Sequence, residues 1–431
     1  MAGRRVLLGA TLLGSVAAFA PPLPAQGGGG EHGEEHGQEH QASRSGSRPW
    51  RLGAQAIGVV TRAAPAYAGR TYVEGYLTQP AVMGHLALLG GRLLGTTTVN
   101  LEGATLGRGE LNGGIFGEGY VDRRHPHTFV HELMGSAGGA AGPVRLSLAA
   151  GKGFAPFGTD DPMTRPFVKY PVNHHLAQIL ERYVAIAAVL YGGLLVEGGT
   201  FNGDEPVRPS SWPSASRFGD SWSARVTVAP AGGLELAASA ARVTSPEQLV
   251  GDGLDQRKSS LAARWERRDS LGRRAYALVE WARTDEMQDG RRAFRYASVL
   301  AEAMGRVRRL ELGARYERTG RPEEERLLDP FRSPRPHPDY NVLGITEWRI
   351  ATAAVAARVD APAGIVLRPF FEVARLGARE IVRPSTFVPE EFYGADRQWS
   401  LSVGLRMEAG TLHPRMGRYG VAGDAGASHH P

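Results

Sequence analysis

Apolar and polar residues alternate with a period of two over long stretches of this chain. Over residues 310–317 one face reads Leu310, Leu312, Ala314, Tyr316 and the other Glu311, Gly313, Arg315, Glu317. Over residues 398–408 the faces are Trp399, Leu401, Val403, Leu405, Met407 and Gln398, Ser400, Ser402, Gly404, Arg406, Glu408. Successive side chains of an extended strand point to opposite sides, so this order predicts strands with one apolar face. Weaker copies fall at 221–229, 234–243, 260–266 and 365–376.

The connections add direction. Long polar stretches at 377–396, 319–340, 245–256, 202–220 and 153–182 are interleaved with short ones at 360–363, Gly305, 269–272, 231–233, Gly192–Gly193 and 139–142. Outer-membrane barrels have long loops outside, short periplasmic turns, and both chain ends on the turn side. The expected fold is therefore all-β: a transmembrane antiparallel β-barrel of about 14 to 16 strands over residues 48–408. The first strands, between Leu52 and Leu106, are the least defined. A barrel of this size leaves an aqueous passage. A soluble sandwich would alternate in the same way. Against it, Trp222, Trp265, Trp281 and Trp399 fall close to predicted strand ends, where an aromatic girdle sits.

The amino terminus changes the picture by placing the chain in the envelope. Arg4 and Arg5 precede an apolar run from Val6 to Ala20 and a small-residue exit at Leu23-Pro24-Ala25, which reads as a signal peptide over residues 1–25. Residues 26–47 are rich in Gly, Glu and His and are expected to be a disordered leader. Residues 409–431 are expected to be a flexible tail. With no cysteine in the chain there is no disulfide scaffold. The 50 Lys and Arg against 44 Asp and Glu are spread along the sequence, which leaves no nucleic-acid footprint.

Strand parity then assigns the interior. Arg225, Arg264, Arg315, Arg368 and Arg406, with Glu235, Glu266, Glu311, Glu317 and Glu372, are expected to face inward as pore-lining residues. Their signs balance, which suits small polar or zwitterionic solutes rather than strong anion selectivity; the plainer alternative is ion pairs that stiffen the wall. Residues 153–182 carry a short helical pattern after Asn173, a fitting N-cap. Folded into the channel, that segment would form a constriction bearing Asp160, Asp161, Lys169, His174 and His175; laid over the rim, it would not. The Asp160–Asp161 pair alone reads as a solvated turn.

Two histidine groups suggest a divalent metal. His32, His36 and His40 recur every four residues among glutamates, and His125, His127 and His131 share parity. The competing readings are a solvated leader and a chain tip at Pro126. No nucleophile elbow, zincin helix or phosphate loop is present in the sequence, so an enzyme is not expected.

The string Asp122, Arg123, Arg124, His125, Pro126, His127, together with Asn202-Gly203-Asp204-Glu205-Pro206, resembles a poorly characterised group of porin-like Gram-negative outer-membrane proteins. The resemblance implies a barrel and passive transport. The chain's expected partners are outer-membrane lipid, the barrel assembly machinery and a small polar solute, with a homo-oligomer left open. The chain departs from classical porins in running on past Glu408, rather than ending at an aromatic residue of the last strand. A metal-linked outer-membrane transporter using the His segments and a soluble periplasmic all-β binding protein or hydrolase are the other readings.

Overall fold

The computed structural model describes residues 48–66, 69–107, 109–111, 123–124, 127–206, 208–230, 232–246, 250, 253–268, 274–324, 342–381 and 388–424. The expected signal, the leader with His32, His36 and His40, and His125 lie outside the described residues.

Sixteen long strands follow one another around a single antiparallel sheet. They are β1 (Trp50–Ala64), β2 (Tyr72–Leu88), β3 (Leu93–Asn100), β4 (Val130–Ala141), β5 (Val144–Gly153), β6 (Arg182–Tyr191), β7 (Leu194–Phe201) and β8 (Ser221–Val228). Then come β9 (Leu234–Val243), β10 (Asp255–Arg268), β11 (Arg274–Gln288), β12 (Arg291–Val307), β13 (Leu310–Glu324), β14 (Val342–Ala357), β15 (Val366–Glu380) and β16 (Arg397–Gly410). The sheet closes because β1 pairs with β2 on one side and with β16 on the other, from Gly53 opposite Gly410 to Ala64 opposite Trp399. One sheet closed on itself replaces the two-sheet sandwich considered above. Closure gives each of these strands a neighbour on both sides, so the sheet has no terminal strand, the condition a sheet must meet in hydrocarbon.

The predicted facing holds along the wall. On β13, Glu311, Arg315, Glu317 and Thr319 are buried inside while Leu312 and Tyr316 are exposed on the outer surface. On β8, Ser221, Ser223, Arg225 and Thr227 are buried, and Trp222, Val226 and Val228 are exposed. Around the circumference the outer face presents Val60, Leu133, Leu148, Val189, Leu261, Val279, Leu312 and Val403, all exposed apolar side chains. Such a continuous apolar belt is what a wall facing lipid tails requires. Among the described residues no helix is long and apolar enough to cross a membrane.

Several boundaries differ from expectation. Gly305 lies inside β12, which continues to Val307, and Gly139 lies inside β4, which continues to Ala141. Gly305 pairs with Ala275 on one side and Leu312 on the other, and Gly139 pairs with Leu146, so the ladder runs on through both. The alternation of long and short connections fails once. Between β11 and β12 the loop end has only Asp289 and Gly290, with φ of 49° and 76°, the left-handed pair that a two-residue hairpin needs. Of the four tryptophans expected at strand ends, Trp281 sits in mid-strand opposite Leu261 and Val299. Trp348 points inward and is fully buried.

The chain end is the largest departure. Residues 411–424, expected to be part of a flexible tail, turn back into the turn end of the barrel. Met416 and Tyr419 join Phe154, Phe157, Met163, Ile179 and Phe201 in one apolar cluster.

Candidate functional site

Residues 154–181, between β5 and β6, cross the barrel interior. The segment leaves the wall at Phe154 and returns at Arg182, and its ends are tied by Ala155 N–H donating to Ile179 O at 2.9 Å. Gly158 turns back beneath the segment's own helix with φ of 66°. A Cβ there would stand 1.7 Å from Ala177 O, so only glycine fits. Asp161 then accepts from Met163 N–H at 2.7 Å and caps the 3-10 turn Pro162–Thr164. The helix expected after Asn173 is one turn, His174–Ala177. Asn173 does not cap it with its side chain; its Nδ2 donates instead to Glu280 on β11 at 2.7 Å.

An irregular segment brings backbone N–H and C=O groups that have no ladder partner, and inside a barrel they must find one. The wall's charged side chains supply it. Arg315 donates to Lys169 O at 2.9 Å, Glu317 accepts from Val172 N–H at 2.7 Å, Glu372 accepts from Val168 N–H at 3.2 Å, and Arg406 donates to Met163 O at 2.9 Å. A bulge at Gln79, with φ of 50°, turns that residue inward so that its side chain donates to Val168 O. Arg225 is paired with Glu197 by two hydrogen bonds, at 2.7 and 2.8 Å, and reaches Gly158 O.

All ten side chains expected to line the interior point inward, but their surroundings divide them. Glu235, Arg264, Glu266, Glu311, Arg368 and Arg406 border a cavity of about 510 Å³ on the turn side of the inner segment. Within it, Arg264 pairs with Glu266, and Arg368 stands between Glu311 and Glu408. Arg225, Arg315, Glu317 and Glu372 are sealed behind the inner segment. Parity finds the face a residue occupies; it carries no information on what fills the space beyond that face.

The segment's own charged residues are equally committed. Asp160, read above as part of a solvated turn, is buried between Arg415 and Arg418 of the chain end and Arg264 of the wall. Burial works to raise its carboxyl, and the three guanidinium groups overcome this and hold it well below the usual carboxylate range. Arg415 also forks onto Glu235 at 2.8 and 3.0 Å, and Arg418 reaches Glu197 at 3.2 Å. Burial first, then the neighbouring Arg225 charge, brings Arg418 down to about 10. Lys169 donates to Leu111 O at 2.7 Å and lies 3.5 Å from Glu110.

Four of the described histidines, His127, His131, His174 and His175, gather at the loop end of the interior. His127 lies 3.1 Å from Glu102, His131 2.9 Å from Glu181, and His175 3.9 Å from Glu205. The rings of His127, His131 and His174 are neighbours, with His127 4.8 Å from His131 and 5.2 Å from His174 between centroids. The string 202–206 forms a knot beside them: Asn202 accepts from Tyr183 N–H, and Glu205 pairs with Arg182 at 2.7 Å.

Sequence reasoning missed Glu102, Glu181, Arg415, Arg418 and Tyr419. The two glutamates carry no local pattern. For the chain end a signal existed, since Leu412, Met416 and Tyr419 recur at helical spacing among the glycines.

A closed sixteen-strand barrel, apolar outside and charged inside, with a segment folded across its lumen, has the form of a porin-like transmembrane barrel. No family model matches the chain, and no curated protein does. Among solved structures it is similar to the anion-selective porin of Comamonas acidovorans, with 14% identity, 83% of this chain and 99% of that chain covered, and a TM-score of 0.46. It is also similar to in-vitro folded OmpT of Vibrio cholerae (10% identity, 84% and 99% covered, TM-score 0.45) and to OccK2 of Pseudomonas aeruginosa, solved with glucuronate (10%, 84% and 98%, 0.37). At such low identity and TM-score, none of the three bears on what crosses this barrel.

Proposed function

We propose that the protein is an outer-membrane, porin-like channel for passive diffusion of small polar solutes, with residues 154–181 as its constriction. The observation that carries this reading is the segregation around the closed wall: an apolar belt outside, and opposed arginines and carboxylates inside. The short turns and the docked chain end then face the periplasm, and the long loops face outward. The signal-like amino terminus supports export to that membrane.

Within the cavity below the constriction, arginines from the wall, the inner segment and the chain end confront Asp160, Glu235, Glu266, Glu311 and Glu408. Neither sign dominates, so a zwitterion or a neutral polar solute meets no net barrier of charge. The inner segment and chain end together narrow the way, which favours small solutes and low conductance.

Proteoliposome swelling tests the reading. Liposomes carrying the heat-modifiable, folded protein should admit small zwitterionic solutes such as glycine faster than disaccharides. Swelling no faster than protein-free liposomes for every solute would refute it.

A further inference from the structure

His131, Asp161 and His174 come together from separate elements. His131 is the second residue of β4, Asp161 caps the 3-10 turn of the inner segment, and His174 opens its one-turn helix. Asp161 Oδ2 lies 3.9 Å from His131 Nε2 and 3.7 Å from His174 Nε2, and all three side chains are buried. These separations exceed hydrogen-bond reach. Neither Asp161 Oδ2 nor His131 Nε2 has a hydrogen-bond partner, although both are fully buried. A buried carboxylate oxygen facing a buried imidazole nitrogen across a gap points to something that belongs between them.

The far side of each group is already fixed. Asp161 Oδ1 is held by Met163 N–H. His131 Nδ1 is held at 2.9 Å by Glu181, whose same oxygen also accepts from Thr128 N–H and Thr128 Oγ1. A carboxylate on one imidazole nitrogen, with the lone pair of the other turned to a shared centre, is the outer arrangement of a histidine metal ligand.

We propose that His131, Asp161 and His174 bind one divalent transition-metal ion of the zinc class, which staples the inner segment to the wall. Among the described residues no three such side chains already stand at ligand spacing. The gap is nonetheless of the right size. A zinc-class ion bonded at about 2.1 Å to each atom would subtend roughly 125–135° across these separations, and a contraction of about 0.3–0.5 Å reaches the tetrahedral angle. A water at about 2.8 Å from both atoms would be squeezed to roughly 85°. Asp161 and His174 sit on irregular backbone outside the strand ladder, so they can close without breaking it. Two imidazoles and one carboxylate favour zinc or its neighbours over calcium, which takes six to eight oxygens. The site stands whether or not solute passes through the barrel.

The test uses the full chain folded in detergent micelles, with Co²⁺ alone as a spectroscopic probe and Zn²⁺ titrated by calorimetry. The expected result is one tight equivalent with the visible absorption of tetrahedral Co²⁺. Asp161→Asn keeps an oxygen for Met163 N–H but removes the anionic ligand, and should weaken Zn²⁺ binding by at least about a hundredfold; Glu181→Gln should weaken it about 10–100-fold. Replacing His32, His36 and His40 together by Ala should leave the Co²⁺ signal unchanged. His174→Ala, which leaves the cap untouched, gives the same reading as Asp161→Asn if that variant does not fold. Absence of tetrahedral Co²⁺ absorption in the folded wild type, or Zn²⁺ affinity unchanged in either ligand variant, would overturn the proposal.

Discussion

Strand β13 and residues 154–181 both bury charged side chains inside the barrel, yet different rules order them. On β13 each residue's surroundings follow from its parity: Glu311, Arg315 and Glu317 inside, Leu312 and Tyr316 outside. In the inner segment no period exists. Phe157, Asp161, Arg165, Tyr170 and His174 are all buried, each for its own reason. The wall is specified by a pattern and tolerates changes that keep the pattern. The segment is specified by individual bonds, so a single substitution there removes something that nothing else replaces.

The largest effect expected is a breach of the wall's outer face. Leu312→Arg places a charge against lipid at about 2–4 kcal/mol at the midplane, enough to prevent assembly, which loss of the heat-modifiable folded band would register. The inward neighbour is informative too. A Cβ on Gly313 would stand 3.2 Å from Phe167 Cζ of the inner segment, so Gly313→Arg should assemble poorly here, where a barrel with an open lumen would accept it. Normal yield of Gly313→Arg would show that the inner segment is not packed against β13.

Next in size is the buried pair Arg225–Glu197 of two neighbouring wall strands, whose arginine also reaches Gly158 O of the inner segment. Arg225→Ala leaves Glu197 buried without its main partner, and should lower stability by about 3 kcal/mol; Arg418 still reaches that carboxylate and keeps the loss at the low end. A drop in the temperature of the gel-mobility transition reads it. The smallest effect belongs to Arg242→Ala, whose pair with Asp255 has an arginine side chain 56% exposed. That change should cost under about 1 kcal/mol. Equal shifts for the two arginines would remove the distinction between interior and surface pairs.

The same contrast explains what could be read from the sequence. The strands at 234–243 and 310–317, the loop at 202–220 and the inward facing of all ten charged residues followed from alternation and turn chemistry. The placement of Asp160 did not, because its partners Arg264 and Arg415 are remote in sequence and only closure of the barrel brings them together. For the chain end, glycine and histidine content suggested a free tail, while burial of Met416 and Tyr419 against Phe154 holds it inside. Composition registers the entropy a segment must lose; it does not register a cavity made elsewhere to receive it.

Single-channel recording in planar bilayers puts the account to its most direct test, comparing the full chain with Arg415→Ala/Arg418→Ala, in which the chain end loses its ties to Asp160, Glu235 and Glu197. The expected result is small, weakly ion-selective steps for the wild type and steps several-fold larger for the variant. Folded, inserted protein that gives no steps in either form would contradict a conducting barrel narrowed from within.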